Sequence, residues 1–587
     1  MKNSYLLIIA AGIVCLTACN KETNAIEETI EANGSVKMIT ETVTAQYGNE
    51  TKVTIADGGT FSWTEGDHIA VHVSNGDNPQ YVLTSDSGAS GASASAATAS
   101  FTVVYEEGYT RDAFAVYPAT IVATDAANYG QSGATLDITL PDTYELSKVS
   151  GTTTPCPMIA TNTPGSGWAF KQLCGLLRLT VGNISSNVAS LELGFGGNKV
   201  NGTFEVTNPG TATPKISTTT AGLNLGEDII TITDISPDAE GKVTVNLPLP
   251  EGNYSEITIV AKNGNDVVLS RAVESFATAY LSQRAHGKKV TRDLAVFSVD
   301  ASTKVYFSPG NLQYQASPTS TWRFAEHQYD YVGDGGTKGG NVTGGNNASI
   351  SSSYTGWIDL FGWGTSGYSE WEDDTYGSAV QPWSSDTNND NYGPVGVYNG
   401  LYKNGADGPD FTNGDWGEGA KDYIGDGWRT LTSAESVWLV GPFFDANPGT
   451  NCRTSSRIND TDNARYAKGT VNDVYGMIIF PDSYTHPDGV AVPTGINATD
   501  NAGWNGNDYS ADEWSKMEAA GAVFLPAAGY RNGTKLYNPG NFGYYWSSSP
   551  FDASYASRLY FGSNDVDPAH SGFRRHGCSV RLVQNQN

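Results

Sequence analysis

Apolar side chains in the first half of this sequence recur at every second residue over short runs, as in HIAVHV, LLRLTV, KVTVNLPL and EITIVAKNG. Gly, Asn, Asp or Pro separates these runs. A period of two sends alternate side chains to opposite faces of a strand, so each run buries one face. Short strands with frequent turns pack as β-sandwiches. The tract SDSGASGASASAATAS reads as a flexible loop. Tryptophan marks a change of character: of 13 in the chain only Trp63 and Trp168 precede residue 294, so two kinds of domain share its 587 residues. That length and 39% hydrophobic content supply cores for several domains.

The formal net charge of −28 repels phosphate backbones and anionic lipid surfaces, which excludes nucleic acid as a partner. At the N-terminus Lys2 precedes an apolar run from Tyr5 to Leu16, too short for a membrane span of about 20 residues, and reads as a secretory signal. The run closes on Leu16-Thr17-Ala18-Cys19, which resembles a bacterial lipoprotein box. The resemblance implies a signal peptide over 1–18 and a lipid anchor on Cys19, whose acyl chains contribute about 0.8 kcal/mol per buried methylene. Residues 19–35 form an acidic tether with Glu22, Glu27, Glu28 and Glu31, similar to the surface-export signal of Bacteroidetes lipoproteins. Outer-membrane attachment facing outward is the expectation. The remaining Cys156, Cys174, Cys452 and Cys578 lack CxxC spacing; a disulfide is permitted outside the cytoplasm but not demanded, and buried thiols are the expectation.

Segments FSWTEGDHIAVHV, FAVYPA, PMIATNTPGSGWAFKQLCGLLRLTV and LPLPEGNYSEITIVAKNG resemble the fimbrillin-like proteins of Bacteroidetes. The resemblance implies two tandem β-sandwiches, over 36–165 and 166–294, that either polymerise as pili or hold something away from the cell. Fimbrillin polymerisation usually needs cleavage after an Arg near the N-terminus, and here the first Arg is Arg111. A stalk or tip is therefore expected over a polymerising subunit.

Two short helices announce themselves after residue 294. Thr432 with Glu435, and Ser510 with Glu513, have the spacing of capping boxes, and Gly521 ends the second helix. Trp438, Trp514 and Met517 are expected to face the core. GDGWRTLTSAESVWLV, MEAAGAVFLPAAGYRNG, YYWSSSP and CSVRLV resemble Fibrobacter major-paralogue domains and the C-type-lectin fold. This implies an α+β, C-type-lectin-like ligand-binding domain over 295–587 whose upper face is built from loops.

Between the framework strands YYWSSS and SVRLV lies a stretch rich in Phe, Tyr, Arg and His. Alternation sends Leu559 and Phe561 to the core and Arg558 and Tyr560 to the other face. From Pro550 to Cys578 there is no Lys, Glu, Gln, Met or Trp, types that make up about one residue in eight of the chain. This ending resembles the variable proteins of diversity-generating retroelements, in which randomised Asn codons yield Phe, Tyr, Ser, Arg, His, Gly or Asp but never those five. The resemblance implies a diversified ligand-binding surface made of Phe551, Tyr555, Ser557, Arg558, Tyr560, Gly562, Asp565, Asp567, His570, Ser571, Gly572, Phe573, Arg575 and His576. The competing expectation is that these aromatics complete a core.

Catalytic and metal signatures are weak. His68 and His72 on one strand stand too far apart for a single ion, about 13 Å at about 3.3 Å per residue. His570 and His576 read as contact residues before zinc ligands. Asp386, Asn388 and Asp390 have calcium-loop spacing without the Gly and late Glu that such loops need. The triplets of calcium-dependent sugar lectins are reduced to QPW at Gln381 and WNGND at Trp504. Formylglycine-generating enzymes share the lectin-like fold, but Cys452 and Cys578 are far apart in sequence, and fold alone does not confer chemistry. Without a cofactor or metal, the expected protein is a non-enzymatic, lipid-anchored adhesin. Its partner is a protein or glycan ligand on another cell, phage or host surface. The alternative is a structural fimbrial tip or shaft subunit whose partners are pilus subunits.

Overall fold

The computed structural model describes residues 37–586 apart from 48–62, 64–65, 76–77, 85–97, 123–135, 151–155, 163–167, 208–213, 218–226, 285, 316–320, 337–338, 349–353, 364–414, 444–450, 500–502, 505, 533–534 and 553–554. Cys19, the tether, Gln381 and the turn at 386–390 lie outside the described residues. The chain is mostly β.

The first sheet has seven strands in the order Asn78–Leu83, Ala70–Asn75, Thr110–Tyr117, Met158–Asn162, Trp168–Gln172, Met38–Tyr47 and Thr98–Glu106. Alternation in Thr98–Glu106 buries Ala99, Phe101, Val103 and Tyr105. Trp63 fills the centre of this core, edge-on to Phe101, Tyr117 and Phe170 at 5.3, 5.1 and 5.2 Å. Arg111 lies over Trp168 at 5.5 Å and pairs with Glu41 at 3.0 Å.

The following strands form a three-stranded sheet centred on Gly175–Gly182 and a five-stranded sheet ordered Val268–Ser282, Gly252–Lys262, Ser190–Gly194, Ile229–Thr233 and Thr143–Glu145. A second three-stranded sheet joins Lys215–Ser217, Gly202–Thr207 and Leu136–Leu140. Strand pairing crosses the expected boundary at 165/166. Leu136–Leu140 and Thr143–Glu145 join the later sheets, while Trp168–Gln172 stays in the first sheet beside Met158–Asn162 and Met38–Tyr47.

Beyond residue 294 no sheet among the described residues exceeds four strands. Leu582–Asn585 lies between Lys304–Phe307 and Trp428–Thr430, so the last strand of the chain pairs back with an early strand of this region. Both expected capping boxes are formed, at Ser433–Val440 by Thr432 and Glu435 and at Ala511–Ala519 by Ser510 and Glu513. Gly521, with φ at 98°, follows the second helix, and a Cβ there would meet Ala295 Cβ at 2.2 Å. Trp514 and Met517 are buried as expected, whereas Trp438 is only half-buried. A third helix, Trp416–Ile424, corrects the expectation of two. Asp415 caps it by accepting from Gly417 N at 3.0 Å, and the two glycines of its WGEG start weaken its helix signal.

One hydrophobic core runs from the second set of sheets into the C-terminal region, uniting Leu177, Leu179 and Ile259 with Tyr306, Trp322, Trp428 and Trp546. The Tyr306 hydroxyl donates to Asn183 O and accepts from Ser185 N at 3.2 Å. Arg271 and Glu518 form an ion pair across the same junction at 3.1 Å. Only Leu294, Ala295 and Val296 link the strands Gly287–Asp293 and Phe297–Ser298, and Leu294 and Val296 are buried.

Candidate functional site

The candidate site lies on a three-stranded antiparallel sheet, Phe542–Pro550, Tyr555–Gly562 and Val566–Phe573. Its inner face sends Tyr545, Leu559, Phe561 and Val566 into a core with Tyr466 and Leu525. The opposite face gathers rings. Register sets Tyr544 beside Tyr560, Arg558 beside His570 and Tyr555 beside Phe573. An extra residue on the outer strand between the partners of Arg558 and Tyr560 shifts the pairing there, as a bulge does.

The rings form a connected series. Tyr560 stacks on Phe542 at 5.6 Å and lies 5.2 Å from Tyr544 and 5.0 Å from His570. Tyr530 stands 5.1 Å from Tyr544, 5.1 Å from Tyr537 and 4.8 Å from His576. Phe573 continues to His576 at 5.4 Å and to Tyr555 at 4.3 Å. Each such pair contributes about 0.5–1.5 kcal/mol beyond its buried area, so the set stiffens as a unit.

Arg558 lies beneath this layer. Its guanidinium carbon is 5.9 Å from the Trp546 ring and 6.0 Å from Tyr530, while Nη1 donates to Cys578 Sγ at 3.4 Å and Nε to His570 Nδ1 at 3.5 Å. Arg574 lies over Trp363 at 4.4 Å and donates through Nη2 to Asp552 O at 2.6 Å, which ties the end of the outer strand to Asp552. Arg575 lies over Phe573 at 3.8 Å.

Phe551 is 62% exposed at the lip of this face. Tyr555, Tyr560, Asp565, Asp567, His570, Ser571, Phe573, Arg575 and His576 are half-buried. Ser557, Arg558, Gly562 and Gly572 are buried, which corrects their expected place on an open surface. Alternation put Arg558 on the correct side of its strand, but Tyr530 and Tyr544 roof it there. A Cβ on Gly572 would meet Arg558 Cζ at 2.6 Å, and one on Gly562 would meet Phe542 Cδ1 at 2.4 Å. Sequence reasoning missed Tyr530, Tyr537, Phe542 and Tyr544 as members of the face. The period of two in FGYYW held the signal for Phe542 and Tyr544.

Burial lowers the His576 pKa to about 3, with the charges of Arg558, Arg575 and Arg531 adding to the effect. Burial and then Arg558 lower that of His570. The Tyr560 hydroxyl is pushed up by burial, then by Tyr544 and Asp565, to which it donates at 3.4 Å. Burial raises the Cys578 thiol pKa against the opposing charge of Arg558. Cys156, Cys174, Cys452 and Cys578 are all buried thiols. Elsewhere His72 is buried, His68 Nδ1 meets Thr84 O at 2.8 Å, and Trp504 stacks on Tyr475 at 5.0 Å. Among the described residues no three His, Cys, Asp or Glu side chains are grouped to hold a metal ion.

No protein-family profile and no curated protein matches the chain. Among solved structures it is similar to a protein of Bacteroides ovatus provisionally described as a cell adhesion protein, at 15% identity over 48% of this chain and 95% of that one, with a TM-score of 0.27. A fimbrial assembly protein from Parabacteroides distasonis has 11% identity over 45% of this chain and 93% of its own, with a TM-score of 0.23. The tip fimbrial protein of Porphyromonas gingivalis with C-terminal truncation has 11% identity over 43% and 94%, with a TM-score of 0.21.

Proposed function

We propose that this chain is a non-enzymatic, cell-surface ligand-binding protein, an adhesin anchored to the outer membrane through lipid on Cys19. Its two N-terminal sandwiches act as a fimbrillin-like stalk, and its C-terminal region is a lectin-fold domain that displays the recognition surface. The observation that carries this reading is the ring-covered outer face of the C-terminal sheet, bordered by Phe551 at 62% exposure. Aromatic and Arg side chains offer large contact area at low entropy cost, the composition of interface hot spots. The half-buried and exposed candidates contact ligand and are the diversified positions; Ser557, Arg558, Gly562 and Gly572 serve as their framework.

The test is capture by the purified protein on an array of cell-surface proteins and glycans. Phe551→Ala weakens capture by more than about 1 kcal/mol with an unchanged melting temperature. Equal loss of folding, or unchanged capture, overturns the reading. Diversification has its own test in the neighbouring DNA, where a near-copy of the gene's last stretch carries Asn codons at the diversified positions beside a reverse transcriptase gene; absence of such a copy removes that part.

A further inference from the structure

Two of the buried thiols face each other across one pair of strands. Met158–Asn162 and Trp168–Gln172 run antiparallel, with Met158 opposite Gln172 and Asn162 opposite Trp168. Leu173 N donates to Pro157 O at 2.8 Å, which carries the same register one residue further. The next partners in that register are Cys156 and Cys174. Antiparallel pairs alternate between hydrogen-bonded and non-hydrogen-bonded positions. This pair falls on a non-hydrogen-bonded one, where opposite Cα atoms lie about 4.5 Å apart. A disulfide spans Cα separations of about 4.4–6.8 Å.

The surroundings of the two sulfurs agree with this placement. Cys156 is 1% exposed and Cys174 0%, and both are thiols in the structure. Burial raises the Cys174 thiol pKa well above its usual value, and the charge of Cys156 adds to the effect. Burial also raises the Tyr144 hydroxyl, with Cys174 and then Cys156 adding, so both sulfurs lie near one ring.

We propose that Cys156 and Cys174 are a covalent modification site and are joined as a disulfide in the exported protein. This rests on the reading of the chain as a cell-surface protein, because disulfides persist in oxidising compartments. Two S–H bonds break and one S–S bond forms. Two protons pass to water, and two electrons reduce the disulfide of an oxidising protein to its dithiol. Burial pushes the Cys156 thiol up to about 12, which leaves little thiolate to react in the finished fold, so the bond forms while the strands assemble. Its position couples two sheets. Cys174 is the last residue before Gly175–Gly182, where the chain leaves the first sheet for those that follow. The bond closes the strand pair at that crossing and holds Trp168–Gln172 in place beside Met38–Tyr47.

The test is mass spectrometry of the full-length protein, extracted from cell envelopes with free thiols blocked in denaturant and digested with trypsin without reduction. Cleavage after Lys148, Lys171 and Arg178 separates the two cysteines, so the expected product is peptide 149–171 joined to peptide 172–178, lighter by two hydrogens than their sum. A parallel sample is refolded from urea with oxidised glutathione and gives the same product. Cys156→Ala or Cys174→Ala removes it, and the oxidised parent melts several degrees above its reduced form. Biotinylation of intact cells reads export separately. Biotinylated protein with both thiols blocked overturns the disulfide, as does refolding that leaves both free or links either one to Cys452 or Cys578. Protein that is neither biotinylated nor linked in cells, yet links on refolding, overturns the export reading and leaves the pairing standing.

Discussion

The Arg558 guanidinium carbon lies 4.5 Å from the centre of the Tyr544 ring, beneath the outer face of the C-terminal sheet. Its aliphatic stem and cation hold up the rings above it, so it belongs to the folding energy of the face. Arg558→Ala is expected to cost about 2–4 kcal/mol in urea unfolding, because a cavity opens and a cation–π contact is lost. Arg575→Ala, on a half-buried residue, is expected to cost less than about 1 kcal/mol.

Glycine sets the spacing around that guanidinium. Gly572→Ala places a methyl against Arg558 and is expected to destabilise by about 1–3 kcal/mol, as overpacking does. Ser571→Ala, one residue away on a half-buried side chain, should change stability by under about 0.5 kcal/mol in the same urea titration.

Two groups whose pKa values burial shifts give stability opposite slopes with pH. Burial raises Asp359 to a pKa of about 7 against the bonds from Asn347 Nδ2 and Val332 N, each at 2.8 Å. Its folded value lies above an unfolded value of about 3.9, so its contribution is full below about pH 4 and is lost as pH rises through 7, by at most about 4 kcal/mol. His576 behaves conversely: with a folded pKa of about 3, its contribution is present above the unfolded value and is lost as pH falls through 3. Urea unfolding from pH 4 to 8 should show Asp359→Asn flattening the decline toward neutral pH. Between pH 3 and 6, His576→Gln should flatten the loss on acidification.

Tyr306→Phe removes the hydroxyl that meets Asn183 O and Ser185 N. Leaving those groups unsatisfied is expected to cost about 1–3 kcal/mol. Because the core is shared, the second set of sheets and the C-terminal region should lose structure in one calorimetric transition in the parent protein. Two well-separated transitions for these parts would contradict it.

Local signals were the legible ones. Thr432, Glu435, Ser510 and Glu513 act within one helical turn, so their spacing alone announced both capping boxes. Leu559 and Phe561 reach the core that alternation assigned them. Depth was not legible: a period of two tells which side of its strand Arg558 takes, and rings from elsewhere in the chain, Tyr544 and Tyr530, decide that this side is roofed. Pairing across the chain was hidden for the same reason. Nothing near Leu136–Leu140 announces that its partner is Gly202–Thr207.

The buried passage through Leu294 and Val296 also has a mechanical consequence. Under a pull on the C-terminal region there is no slack link here to extend, so load enters the neighbouring sheets as shear between packed side chains. Torque is carried by the same contact, and the ring-covered face keeps one aim relative to those sheets. A molecule arriving from solution would meet a fixed bearing instead of a swinging tip.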